Sequence, residues 1–109
     1  MDNCLPRRDS ADPRTWSTYP LRYSHHARER CDQRDIPVLY TLPRESKLAD
    51  LDKDSVSVQA MLFKVPHELG DFFVVLSSDG CVLTTFRKGA EWKTYRSGKE
   101  RRRRFAMCC

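Results

Sequence analysis

The sequence predicts an α+β fold, with one or two N-terminal helices packed on a three- to four-stranded antiparallel sheet. Three observations carry this. Residues 71–88 hold the densest apolar run in the chain, divided at its centre by Asp79-Gly80. An Asp-Gly pair between β-rich segments is a strong hairpin signal, because a two-residue type I′ turn needs φ > 0 at both central positions. Residues 24–34 show helical spacing instead, with Tyr23, Ala27 and Cys31 at i, i+4 and i+8. Residues 55–65 begin with strict alternation and read as a further strand. A helix followed by antiparallel strands gives two layers, the helix covering one face of the sheet.

Taken in order, residues 1–22 mix Pro6, Pro13 and Pro20 with charges and show no apolar period, which predicts a disordered N-terminal segment. Trp16 and Tyr19 are its candidates for docking on the body. Residues 23–96 form the α+β domain and residues 97–109 a basic C-terminal tail. Ser24 is a suitable N-cap, its hydroxyl able to accept from a free amide of the first helical turn. His26, Arg30 and Arg34 repeat the helical spacing one step round, so they line up beside the apolar stripe. Ile36-Pro37 breaks the helix; a short second helix near 37–42 and then a loop follow, because Pro43 interrupts anything longer. Residues 66–70 are a turn. A two-residue turn at 79–80 would pair Ser78 with Cys81, Leu76 with Leu83, Val74 with Thr85 and Phe72 with Arg87. One face then carries Phe72, Val74, Leu76, Leu83, Thr85 and Arg87, and the other Phe73, Val75, Ser77, Val82, Thr84 and Phe86. Both are largely apolar, so both need cover. Trp92 and Tyr95 add a short strand or lie on the sheet.

The 109 residues suit one domain, and a charged content of 32% places part of the chain outside its core. No apolar run nears the roughly 18 residues of a membrane span, and the N-terminus lacks the apolar region of a secretory signal. The expectation is a cytoplasmic protein with no transmembrane segment. The cysteines are Cys4, Cys31, Cys81, Cys108 and Cys109; their number is odd and none forms Cys-x-x-Cys. No disulfide framework is expected, and Cys31 and Cys81 read as small core residues. His25, His26 and Cys31 are close in sequence, but no second ligand pair answers them, so no metal or cofactor is expected.

Net charge is +5 and uneven: residues 51–85 carry −3 and residues 86–109 carry +7. A basic end on a near-neutral body points to a polyanion partner, RNA above all. Metal-free RNA cleavage needs two proton transfers and charge stabilisation at phosphorus. Histidine serves the first and arginine the second. The candidate catalytic residues are therefore His26 and Arg30 on the helix, with Thr85 and Arg87 on the last strand. Arg34, Lys88, Arg96, Lys99, Arg101, Arg102, Arg103 and Arg104 are the candidate nucleic-acid contacts. Four consecutive arginines near Trp92, Tyr95 and Phe105 suit an RNA strand, with charges on phosphates and aromatics on bases. The same run also matches a nuclear-localisation signal.

Residues 26–36, His-Ala-Arg-Glu-Arg-Cys-Asp-Gln-Arg-Asp-Ile, resemble the opening His-Ala-x-x-Arg-x-x-x-Arg-Gly-Ile motif of a small bacterial and phage family of unknown function. That family is similar to the RelE- and BrnT-like toxins of the barnase–EndoU–colicin–RelE fold group, which are metal-independent ribonucleases. The resemblance covers residues 24–88. It implies a catalytic or RNA-binding role for His26, Arg30, Arg34, Thr85 and Arg87, and an antitoxin or immunity protein as partner. Asp35 departs from the motif's glycine, and residues 50–54 are acidic where an RNA-binding surface would not be. The polybasic run before Cys108-Cys109 resembles the doubly prenylated end of Rab-type GTPases, but no P-loop accompanies it. The rival to a ribonuclease is a non-enzymatic, basic nucleic-acid-binding or regulatory protein of viral or mobile-element origin.

Overall fold

The computed structural model describes residues 12–53, 58–88 and 92. It is α+β: helix α1 (Pro13–Trp16), strand β1 (Arg22–Tyr23), helix α2 (His25–Arg34), and strands β2 (Lys47–Lys53), β3 (Val58–Val65), β4 (Phe72–Ser77) and β5 (Cys81–Phe86). The strands form one five-stranded sheet in the order β1-β5-β4-β3-β2. Strands β2 to β5 are an antiparallel meander, and β1 runs parallel to β5 at the opposite edge.

The helix forms where the spacing placed it. Ser24 Oγ accepts from Ala27 N at 3.0 Å, and the hydroxyl donates to Leu83 O at 3.2 Å. One side chain thus caps α2 and ties it to β5. Ala27 and Cys31 are buried under the helix, with Tyr23 and Ile36 at its two ends. His26, Arg30 and Arg34 are half-buried along the edge of that stripe. The helix ends at Asp35, whose φ of 55° and ψ of 49° are left-handed. Glycine is the residue that adopts this conformation without a Cβ penalty.

Four expectations are corrected. Residues 12–22 belong to the fold: Trp16 is fully buried, and Arg22 N donates to Gly80 O at 3.0 Å to open the parallel pairing. A two-residue strand carries no periodicity of its own, so only its partner strand reveals it. Residues 1–11 lie outside the described residues. There is no helix at 37–42; this segment is an irregular loop, and residues 47–53 beyond it form β2. A β-bulge between Leu48 and Asp50 breaks the alternation there, which hid the strand. Cys31 is a free buried thiol as expected, but Cys81, also buried, is disulfide-bonded. Cysteine spacing alone cannot reveal such a pairing.

The fourth correction concerns the hairpin. Its position is as read, and Val74 does face Thr85. The turn is not type I′, because Asp35 is the one non-glycine residue with positive φ among those described. Ser78 and Asp79 form the turn, Gly80 N donates to Ser77 O at 3.1 Å, and Gly80 follows with φ 92°. The extra residue is absorbed by a bulge, so Leu76 pairs with Val82 rather than Leu83. Every position between turn and bulge therefore changes face. Val82 joins Phe72, Val74 and Leu76 on the side covered by α2 and Trp16, and Leu83 joins Val75 and Phe86 on the other. Both faces are buried, the second in a cluster that includes Ala60, Leu62, Phe86 and Trp92. Tyr95 lies outside the described residues.

Candidate functional site

The C-terminal end of α2 and the last strand do meet. Arg34 Nη1 donates to Thr85 O at 3.0 Å. Arg87 donates from Nη2 to Asp35 O at 2.7 Å, from Nη1 to Gly70 O at 2.9 Å and from Nε to Arg34 O at 3.4 Å. Its guanidinium is therefore committed to three backbone carbonyls. Two belong to the end of α2, where orphan carbonyls and the negative end of the helix dipole favour a cation. The third belongs to the turn between β3 and β4. Arg87 joins helix, turn and last strand, much as a cap would.

The other candidates are placed differently. Thr85 is fully buried, and its hydroxyl donates to Phe73 O at 2.7 Å across the hairpin. Arg30 donates to Gln33 Oε1 at 2.6 Å along the helix surface. His26 stands in the first turn of α2, while Arg87 binds beyond its last turn. Eight residues of helix separate the two ends, about 12 Å at 1.5 Å per residue. The structure brings Arg34, Thr85 and Arg87 together through backbone atoms; His26 stands at the other end of α2, and Arg30, one turn before Arg34, bonds to Gln33 instead. Lys88 is exposed; Arg96, Lys99 and Arg101 to Arg104 lie outside the described residues.

A second surface was not singled out by the sequence patterns. The loop between α2 and β2 is pinned on its inner side: Leu39 N donates to Tyr23 Oη at 2.8 Å, Leu21 N donates to Tyr40 O at 2.8 Å, and Leu42 is fully buried. Its outer side holds Val38 and Tyr40, 53% and 76% exposed, so the tyrosine ring is displayed on a fixed backbone. Burial pushes the Tyr23 phenol up to about 12, opposed by the Leu39 amide and the Arg28 charge. Burial likewise raises Cys31, again opposed by Arg28. Arg28 and Arg44 are exposed and pair with no carboxylate among the described residues. The one sequence signal for this surface is an aromatic between Pro37 and Pro43, two residues that hold the chain extended and non-helical.

Among the described residues, no three His, Cys, Asp or Glu side chains converge as metal ligands, and no helix is long and apolar enough to cross a membrane. No protein-family model, curated protein or solved structure matches the chain.

Proposed function

We propose that this is a non-enzymatic RNA-binding protein whose affinity comes mainly from its basic C-terminal part. The observation that carries the reading is charge segregation, +7 in residues 86–109 against −3 in residues 51–85. Binding a polyanion asks for clustered cations and exposed aromatic faces, and nothing more. Cleavage asks for more. An imidazole and a phosphate-holding guanidinium must reach one phosphorus, within hydrogen-bond distance of the atoms they serve. His26 and Arg87 at opposite ends of α2, with Thr85 buried and Arg87 committed to carbonyls, favour binding over the ribonuclease reading. The partner is RNA, bound without a metal. An antitoxin-like inhibitor belongs to the cleavage reading alone.

The test is titration of a labelled single-stranded RNA by fluorescence anisotropy in excess EDTA, between 50 and 200 mM salt. With about six phosphate contacts at ~0.7 each, log affinity against log salt has a slope near −4, a loss of roughly 300-fold across that range. Deleting residues 96–109 removes most of the affinity, and the RNA stays intact throughout. Cleavage by the full chain but not by His26→Ala would restore the ribonuclease reading. Affinity unchanged by the deletion would end the tail's role.

A further inference from the structure

We infer that the buried disulfide of Cys81 is made with the Cys108-Cys109 pair, so that the basic C-terminal segment is a covalent loop rather than a free tail. Cys81 opens β5, is fully buried and is disulfide-bonded, whereas Cys31 is a free thiol. The chain has five cysteines, which leaves Cys4, Cys108 and Cys109 as partners, all outside the described residues. A residue fully enclosed by its own chain does not reach a second copy, so the bond is internal. The sheet separates the candidates. Cys81 lies on the face away from α2, in one cluster with Ala60, Leu62, Phe86 and Trp92. Trp92 Nε1 donates to Asp50 Oδ2 at 2.5 Å, which places Trp92 on this same face, against β2. The N-terminal approach is on the other face, where Trp16 is buried with Tyr23, Ala27 and Val82. Cys4 therefore starts from the wrong side of the sheet and the C-terminal pair from the right one.

Reach is no obstacle. Strands β2 and β5 are three spacings apart in the sheet, about 14 Å. The 16 residues from Trp92 to Cys108 extend to about 50 Å. Forming the bond takes two electrons and two protons from two thiols, and glutathione disulfide accepts them and leaves as two glutathione thiols. The loop so closed contains every cation from Arg87 to Arg104, the whole basic end of the chain. It is fixed near its start by the Arg87 clamp and at its close by Cys81. The consequence for binding deepens the RNA-binding reading and rests on it. A segment tied at both ends loses less freedom on an RNA strand than a free tail does.

The experiment has two arms on the full-length protein. In the first, free thiols are alkylated in denaturant and the chain is cut with trypsin without reductant. Mass spectrometry then reads which peptide is joined to residues 65–87, the one that carries Cys81. The expected partner is residues 105–109, with both C-terminal cysteines. A link to residues 1–7, which carry Cys4, or an alkylated Cys81 would overturn the tether. In the second arm, a labelled single-stranded RNA is titrated with the parent, Cys4→Ser and the double variant Cys108→Ser/Cys109→Ser. The double variant keeps every cation but loses the loop, so its affinity falls about three- to tenfold at an unchanged salt slope. Cys4→Ser binds as the parent does. Equal affinity of the double variant overturns the loop's part in binding. A parent that binds no RNA overturns that part together with the RNA-binding reading, whereas the peptide map decides the bond in either case.

Discussion

Replacing Arg87 with alanine separates a structural clamp from a phosphate ligand. The change removes two short hydrogen bonds, to Asp35 O at 2.7 Å and Gly70 O at 2.9 Å, and a longer one to Arg34 O at 3.4 Å. A hydrogen bond with a charged donor contributes about 1.5–3 kcal/mol, but the two short bonds are exposed and water can replace the donor. Roughly 1 kcal/mol for each short bond, and a few tenths each for the long bond and the helix-dipole contact, give about 2–3 kcal/mol. For a domain of this size that lowers Tm by roughly 8–12 °C. Thermal unfolding followed by circular dichroism reads it directly. Arg87→Lys keeps the charge but not the three-way fork, so it recovers less than half of the loss. The same proteins, titrated with RNA well below Tm, keep the parent's salt slope, because no phosphate contact has gone. A Tm within about 2 °C of the parent, or a slope reduced by ~0.7, would refute the clamp.

Other outcomes follow from single sites. Asp35→Gly relieves the left-handed backbone and removes a carboxylate from the negative end of α2, so stability rises by about 0.5–1 kcal/mol in chemical denaturation. Gly80→Ala fails at its site twice over. A Cβ there would lie 2.7 Å from Tyr19 Cε2, on a backbone with φ 92°, and the loss is at least ~2 kcal/mol, measured by urea unfolding. Tyr23 gives stability a limit in alkali. Its folded pKa is raised from 10.0 to about 12, so its contribution is complete below pH 10 and is lost as pH climbs from 10 to 12. Two units correspond to about 2–3 kcal/mol. Tyr23→Phe flattens this alkaline fall while lowering stability at neutral pH, since the Leu39 amide loses its acceptor.

Helix α2 and the hairpin were legible because their determinants are local. Ser24 caps three residues away, Ala27 and Cys31 repeat at one-turn intervals, and the Asp-Gly pair sits at the reversal of the chain. The hairpin's register was legible only below its bulge, at Val74 and Thr85. A three-residue turn and a two-residue turn share the same Asp-Gly signature, so sequence could not choose which of Val82 and Leu83 faces α2.

The candidate site divides in the same way. Spacing correctly set His26, Arg30 and Arg34 along one half-buried edge of α2. It could not show where the guanidinium of Arg87 ends. Its acceptors lie 53, 52 and 17 residues away in sequence, on two different elements. A cation at the end of an apolar strand looks the same on paper whether it awaits phosphate or closes a helix.

By itself, then, the sequence determined an α+β chain with one capped amphipathic helix, a central hairpin and a segregated basic end. These are properties of composition and of periods shorter than a dozen residues. Only the tertiary structure decided that β1 lies parallel to β5, that Trp16 belongs to the core, that residues 47–53 are a strand, and that Arg87 is a clamp. The strand at 47–53 was hidden by its bulge; the other three depend on partners distant along the chain, and pairing across that distance leaves no period to read.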